Sequence, residues 1–337
     1  MNSSISLRTE TQANEVGDMG QAVRAAIAPI LHGLLFSTKL ERIEWHGGYE
    51  VITLKQLAVS REPGDGDLGI CFEYAAHDAV ARGEESVVDR VSEALKLCRV
   101  GDGTPSSILF GAEKAGAQSL IATAASTLTD DSRVMSGVAG RPVKLKRHLD
   151  SLARAFRQAS AREALPGSIR GLWRADLFLG TTDDDRWVGT SVKHNPRDLT
   201  PGGQGMRIGL VPLPWDGSDL VRLDEQKNLV ICPVPYNDAF MEVFNVAWRI
   251  VAAVMAARGK QPKAALLALA SEQFVAKELV DRMNLPVLEV IEAMRVLGQP
   301  HLLRPKEEDI SLVPAGRSSS TQETGQVVAP VPVGLSE

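Results

Sequence analysis

The sequence is poor in aromatic side chains (5% Phe, Trp and Tyr), holds only three cysteines, and contains no uninterrupted apolar run of eighteen residues. Each shortage excludes something. Cys71, Cys98 and Cys232 stand far apart in apolar surroundings, without the paired spacings of zinc sites or disulfide frameworks, so buried thiols in a reducing compartment are expected. The longest helical stretches are interrupted by His32, Glu242, Asn245 and Arg249, which argues against a membrane span and for a chain with no membrane partner. The N-terminus, MNSSISLRTETQANEVGD, lacks the apolar stretch of a secretory signal; residues 1–16 read as a disordered lead-in, and the expected location is cytoplasmic.

What is present is ordinary for a globular chain of about two domains: 337 residues, 44% hydrophobic and 23% charged. The net charge of −5 is unevenly spread. From Arg141 to Arg174 nine Lys and Arg face only Asp150 and Glu163, a local charge of +7. Overall acidity therefore does not exclude a nucleic-acid partner for that segment.

Apolar spacing predicts an amphipathic helix over 18–36, with Pro29 as a possible kink, and further helices over 68–82 and 84–98. YEVITLKQLAV (49–59) reads as a strand region because it is rich in β-branched residues, and SSILFG (106–111) as a short strand. Residues 114–128 read as helical. In PVKLKRHLDSLARAFRQAS the stripe Leu145, Leu149, Leu152 and Phe156 predicts a helix that turns Arg147, Arg154 and Arg157 outward. Residues 172–236 read as a run of strands and 238–258 as a long helix. The fold class expected is mixed α/β, a central sheet flanked by helices, over residues 17–258 with a helical, basic insertion around 99–165. Three short helical segments and a hairpin over 259–314 resemble a winged helix-turn-helix domain, with Ala276, Leu279, Leu285, Val290 and Leu297 at its core positions. Its second helix carries Glu289 and Glu292 against Arg295, a poor match to phosphates, so a protein partner or homo-oligomer is expected there as much as DNA. Residues 315–337 are Ser/Pro/Gly-rich and read as a disordered tail.

The stretch ADLFLGTTDDDRWVGTSVK carries the chemistry. Side chains alternate along a strand, so Asp176 shares a face with Arg174 and Phe178, and Trp187, Gly189, Ser191 and Lys193 share one face of the next strand. Pairing through the acidic turn brings Asp176 and Lys193 to one side of the sheet. Either charge is costly among apolar neighbours unless it is compensated.

These residues resemble the PD-(D/E)XK, or restriction-endonuclease-like, nuclease superfamily. Its signature is an acid on one strand, an acid-x-Lys triplet on the next, and commonly a glutamate on a preceding helix. Asp176 matches the first acid, Lys193 the lysine of Ser191-Val192-Lys193, and Glu73 the helix glutamate; Ser191 replaces the second acid. The resemblance implies a nuclease cutting DNA with Mg²⁺ or Mn²⁺, held by Asp176, Glu73 and the Val192 carbonyl, and a role such as defence against foreign DNA. Lys193 would orient water or stabilise transition-state charge. Lys144, Arg147, Arg154, Arg157, Arg174 and Asn195 would contact phosphates without reading sequence. The competing reading is a cross-strand ion pair in a non-catalytic adaptor of a nucleic-acid complex.

Weaker signals have simpler readings. GDGDLG at 64–69 fits a dinucleotide-binding glycine pattern, but Asp65 and Asp67 would repel a pyrophosphate, so a helix-capping turn is expected. Glu73 and His77, four apart, read as a helix-surface pair, Asp183 to Asp185 as a solvated turn, and His194 as a solvated strand end.

Overall fold

The computed structural model describes residues 10–61, 67–109, 122–124, 126–137, 139–199, 207–214, 216–235, 239–258 and 260–298. Its centre is an eight-stranded mixed sheet: β1 (Pro105–Leu109), β2 (Arg133–Met135), β3 (Val143–Lys144), β4 (Leu177–Thr181), β5 (Arg186–Val192), β6 (Ile208–Pro212), β7 (Arg222–Asp224) and β8 (Leu229–Val234). The order is β1-β4-β5-β6-β8-β7. The pairs β1/β4, β4/β5 and β7/β8 are antiparallel, and β5/β6 and β6/β8 are parallel. On the edge away from β4, strand β5 changes partner along its length. Residues 186–188 pair with β2, which also pairs β3, and residues 190–192 pair with β6.

Period-two alternation sends the apolar residues of β4 and β5 to opposite sides. Leu177, Leu179, Val188 and Val192 enter the main core, whereas Phe178 and Trp187 enter a second one with Ile108, Leu145, Leu152 and Leu172. Gly180 allows the close approach of β5 to β4, and Gly189 that of the segment after β2 to β5. A Cβ on Gly180 would overlap the Arg186 carbonyl and sit 2.9 Å from the Trp187 ring, and one on Gly189 would overlap the Ser136 hydroxyl.

The main core is helical. It is built on α1 (Glu10–Ser37), whose Ile27, Ala28, Ile30, Leu31 and Leu35 are fully buried, with α2 (Leu40–Trp45), α3 (Leu54–Ser60), α4 (Asp67–Arg82) and α5 (Glu85–Leu97) around it. Pro29 lies inside α1. The second core is covered by α6 (Leu149–Arg157), whose Leu152 is buried while Leu149 and Phe156 pack at its edge, so the expected apolar stripe is correct. The long helix α7 (Ala239–Ala256) and the C-terminal pair α8 (Ala270–Asp281) and α9 (Val287–Leu297) join the main core.

Several expectations need correction. Residues 49–59 do not form a strand. Thr53 instead caps α3, accepting from the Gln56 N–H at 3.2 Å while the Gln56 side chain accepts from the Thr53 N–H at 2.8 Å. That capping box outweighs the β-branched composition, and only an isolated bridge from Thr53 to Pro286 remains. The first of the three C-terminal helical segments is a 3-10 turn at Ala264–Leu266. A packing boundary at residue 258 is also absent, because Val275, Ala276, Leu279, Val290 and Met294 share one core with α1. Arg24 of α1 adds a bidentate ion pair with Glu278 of α8, both bonds at 2.8 Å. Leu285, expected in a core, is 41% exposed. The hairpin that would complete a winged helix, most of the segment 114–128 and the glycines at 64 and 66 lie outside the described residues.

By length and composition alone, Asp18–Ser37 and Ala239–Ala256 are long and apolar enough to cross a membrane, so the interrupting polar residues do not exclude a span as expected. Within the fold both helices contribute to the main core.

Candidate active site

The site lies at the end of the β4/β5 pair. Asp176 stands one residue before β4, yet its N–H still donates to the Thr190 carbonyl at 2.9 Å, so the ladder reaches it and sets it opposite Ser191. The preceding Leu172–Arg174 is a 3-10 turn, so Arg174 is not on the strand face with Asp176. Three groups of the facing strand converge on the Asp176 Oδ2 atom. The Ser191 hydroxyl donates at 3.0 Å, the Val192 N–H at 2.8 Å and the Lys193 ammonium at 2.9 Å. The Lys193 backbone in turn donates to Leu210 of β6 at 3.0 Å, which fixes the strand from which the ammonium projects.

Glu73 arrives from α4. That helix is held against the sheet by buried Phe72 and, one turn on from Glu73, by His77, whose Nδ1 lies 2.9 Å from the Ser107 hydroxyl of β1. Glu73 and His77, read from the sequence as a helix-surface pair, thus reach different neighbours. The Glu73 Oε1 atom lies 3.8 Å from the Lys193 ammonium. One cation therefore bridges two carboxylates from elements about a hundred residues apart, with side-chain exposures of 32% for Lys193, 17% for Asp176 and 10% for Glu73. Burying a carboxylate is costly unless a charge compensates it, and the lysine supplies one.

Strand alternation sufficed to bring Asp176, Ser191 and Lys193 together. The part of Val192 that touches Asp176 is its amide N–H rather than a side chain, which residue identity does not reveal. Ser191 stands where the signature has an acid, and its hydroxyl acts as a neutral donor that orients Asp176. Among the described residues no group of three or more His, Cys, Asp and Glu side chains is placed to hold a metal ion. The donor set is two carboxylates, and Mg²⁺ is commonly held by one or two carboxylates while it keeps several waters, so these residues fit such an ion.

The basic segment is less open than its +7 suggests. Lys144 pairs with Asp131 and Lys146 with Asp130 at 3.4 Å, so Lys144 is engaged within the protein. Arg162 stacks over Trp173 at 4.6 Å, and Arg170 donates to the carbonyls of Leu165 and Glu163. Arg147, Arg154, Arg157 and Arg174 are exposed. Asn195 serves the backbone: its Oδ1 accepts from the Arg197 N–H and its Nδ2 donates to Asp198, both at 3.2 Å.

Two further expectations change. His194 turns inward, its ring 5.5 Å from Phe72 and 6.0 Å from Phe244, and burial holds its pKa below the ordinary value despite a hydrogen bond to Asn245. The acidic turn is a fastener. Asp184 accepts from the Gly101 N–H at 2.9 Å, and Asp185 accepts from the Thr129 and Ser132 hydroxyls at 2.6 Å and the Trp187 indole at 3.0 Å. Burial opposes ionisation of Asp185, but those three hydrogen bonds outweigh it and hold the carboxyl below its usual range.

Comparison of the chain with protein-family models, with curated proteins and with solved structures gave no match in any of the three.

Proposed function

We propose that this chain is a metal-dependent nuclease of restriction-endonuclease-like architecture that hydrolyses phosphodiester bonds of DNA. The observation that supports the reading is the Lys193 ammonium, 2.9 Å from Asp176 and 3.8 Å from Glu73, at the end of an antiparallel pair flanked by a helix. Acid, lysine and helix glutamate are the groups the superfamily signature would use, with Ser191 in place of its second acid.

Asp176 and Glu73 would hold Mg²⁺ or Mn²⁺. Such an ion, when bound, polarises a phosphate and lowers the pKa of a coordinated water. Lys193 is placed to orient that water or to meet charge developing on the phosphate. Ser191 and the Val192 N–H hold the Asp176 rotamer, so the carboxylate needs no reorganisation. Arg147, Arg154, Arg157 and Arg174 would contact backbone phosphates independently of sequence. Defence against foreign DNA is a role in keeping with this chemistry.

One observation favours a second reading. Asp176 Oδ2 is already met by three donors, and Ser191 removes an acid, as in a degenerate fold kept for an adaptor subunit. Supercoiled plasmid incubated with Mg²⁺ or Mn²⁺ tests the nuclease. Wild type should nick or linearise it, EDTA should stop the reaction, and Asp176→Ala or Lys193→Ala should slow it by roughly 100-fold or more. Equal cleavage by all three proteins would refute the assignment.

A further inference from the structure

Away from the site just described, where β5 exchanges β2 for β6, the two partners diverge and leave a cavity of about 460 Å³. Four arginines line it: Arg99, Arg141, Arg186 and Arg207. Among the described residues no acidic one does. Arg186 reaches an acid outside the lining, Asp184 at 3.3 Å, and donates to the Arg99 carbonyl at 3.2 Å, which ties two of the four together. Arg207, at the start of β6, has a buried Nε that meets no hydrogen-bond partner among the described residues. A buried guanidinium N–H without an acceptor is costly, so it points to an acceptor that the described residues do not provide.

The arginines are only half of the cavity. Met135, Leu223 and Val230 add an apolar wall, and Asn228, at a left-handed φ of 50°, supplies an amide whose Nδ2 is spent on the Gly137 carbonyl. The volume falls within the range of about 300–1,000 Å³ typical of small-molecule sites. Guanidinium groups match phosphate oxygens in fork geometry. An apolar wall beside them suits a ligand with a flat organic body rather than a bare inorganic anion.

We propose that this cavity binds a phosphorylated small molecule of nucleotide size, its phosphates on Arg99, Arg141, Arg186 and Arg207 and its base against Met135, Leu223 and Val230. The site is separate from the carboxylate–lysine cluster. Arg186 and Ser191 are five residues apart on one strand, about 17 Å at strand rise.

The test is calorimetric titration of the full chain with ATP, AMP and adenosine, and with a twenty-nucleotide single strand. ATP should bind at least tenfold more tightly than adenosine. Arg207→Gln should weaken ATP binding at least tenfold, and exposed Arg141→Gln, which carries little risk to folding, at least threefold. Circular dichroism melts confirm that the variants are folded. Equal affinity for ATP and adenosine, no binding of ATP, ATP affinity unchanged in both variants, or binding by the oligonucleotide alone would each overturn the proposal. Because the readout is binding without metal or cleavage, its failure is distinguishable from failure of the nuclease assignment.

Discussion

Replacing Lys193 with Met removes the charge that both carboxylates share while keeping most of the side-chain volume. Asp176 and Glu73, with side-chain exposures of 17% and 10%, would then lose the ammonium they share. Breaking a buried ion pair by deleting one partner typically costs about 3–5 kcal/mol. Lys193 is itself 32% exposed, so water screens part of the interaction, and about 2 kcal/mol is the better expectation. At roughly 2 °C per kcal/mol for a chain of this size, the melting temperature should fall by about 4 °C. Differential scanning calorimetry at neutral pH measures it. Combining Lys193→Met with Asp176→Asn removes one of the stranded anions while Ser191 and the Val192 N–H keep an acceptor, so the double variant should recover about half the loss. A single variant within 1 °C of wild type, or no recovery in the double variant, would refute the picture of one cation holding two anions.

Other consequences follow from the same structure. Glu278→Ala strands Arg24, which is buried between α1 and α8, and should cost about 3–5 kcal/mol, measured by chemical unfolding; a loss under 1 kcal/mol would mean that the pair does not clamp the helices. All three cysteines are buried, and burial pushes the thiols of Cys98 and Cys232 up to about 12, so a thiol-specific chromogenic reagent should react slowly with native protein and with three thiols after unfolding. Burial also holds His32, His77 and His194 below their ordinary 6.5, so the folded protein binds protons more weakly than the unfolded chain. The stability this represents is complete above about pH 6.5 and is lost as pH falls through it toward the folded values. Melting temperature should therefore drop between pH 7 and pH 5, and a flat or rising profile would contradict it.

Strand alternation alone brought Asp176, Ser191 and Lys193 to one place, because a side-chain period of two leaves no other face once the hairpin pairs. The helices α1, α4, α5 and α7 were equally legible from their apolar stripes. What was hidden depended on distant partners. Asp183 to Asp185 looked solvated because the groups that engage Asp184 and Asp185, from Gly101 to Ser132, are far away in sequence. The apolar faces of α8 and α9 were visible, but an apolar stripe does not say what covers it, and here α1 does. Residues 51–53 are β-branched and still do not form a strand, because a single Thr53–Gln56 reciprocal cap commits the next residues to helix. The arginine-lined cavity draws on four separated elements and left no local pattern at all.

The central claim is that Asp176 and Glu73, brought together around Lys193, form one divalent-cation site. Titration of the protein with Mn²⁺, followed by electron paramagnetic resonance of the free ion, measures it without requiring a substrate or partner. Wild type should bind Mn²⁺ at one site that Mg²⁺ displaces, and Asp176→Asn and Glu73→Gln should each weaken it at least tenfold. Binding of equal strength in all three proteins, or none by the wild type, would contradict the claim and leave the cluster as a structural ion pair.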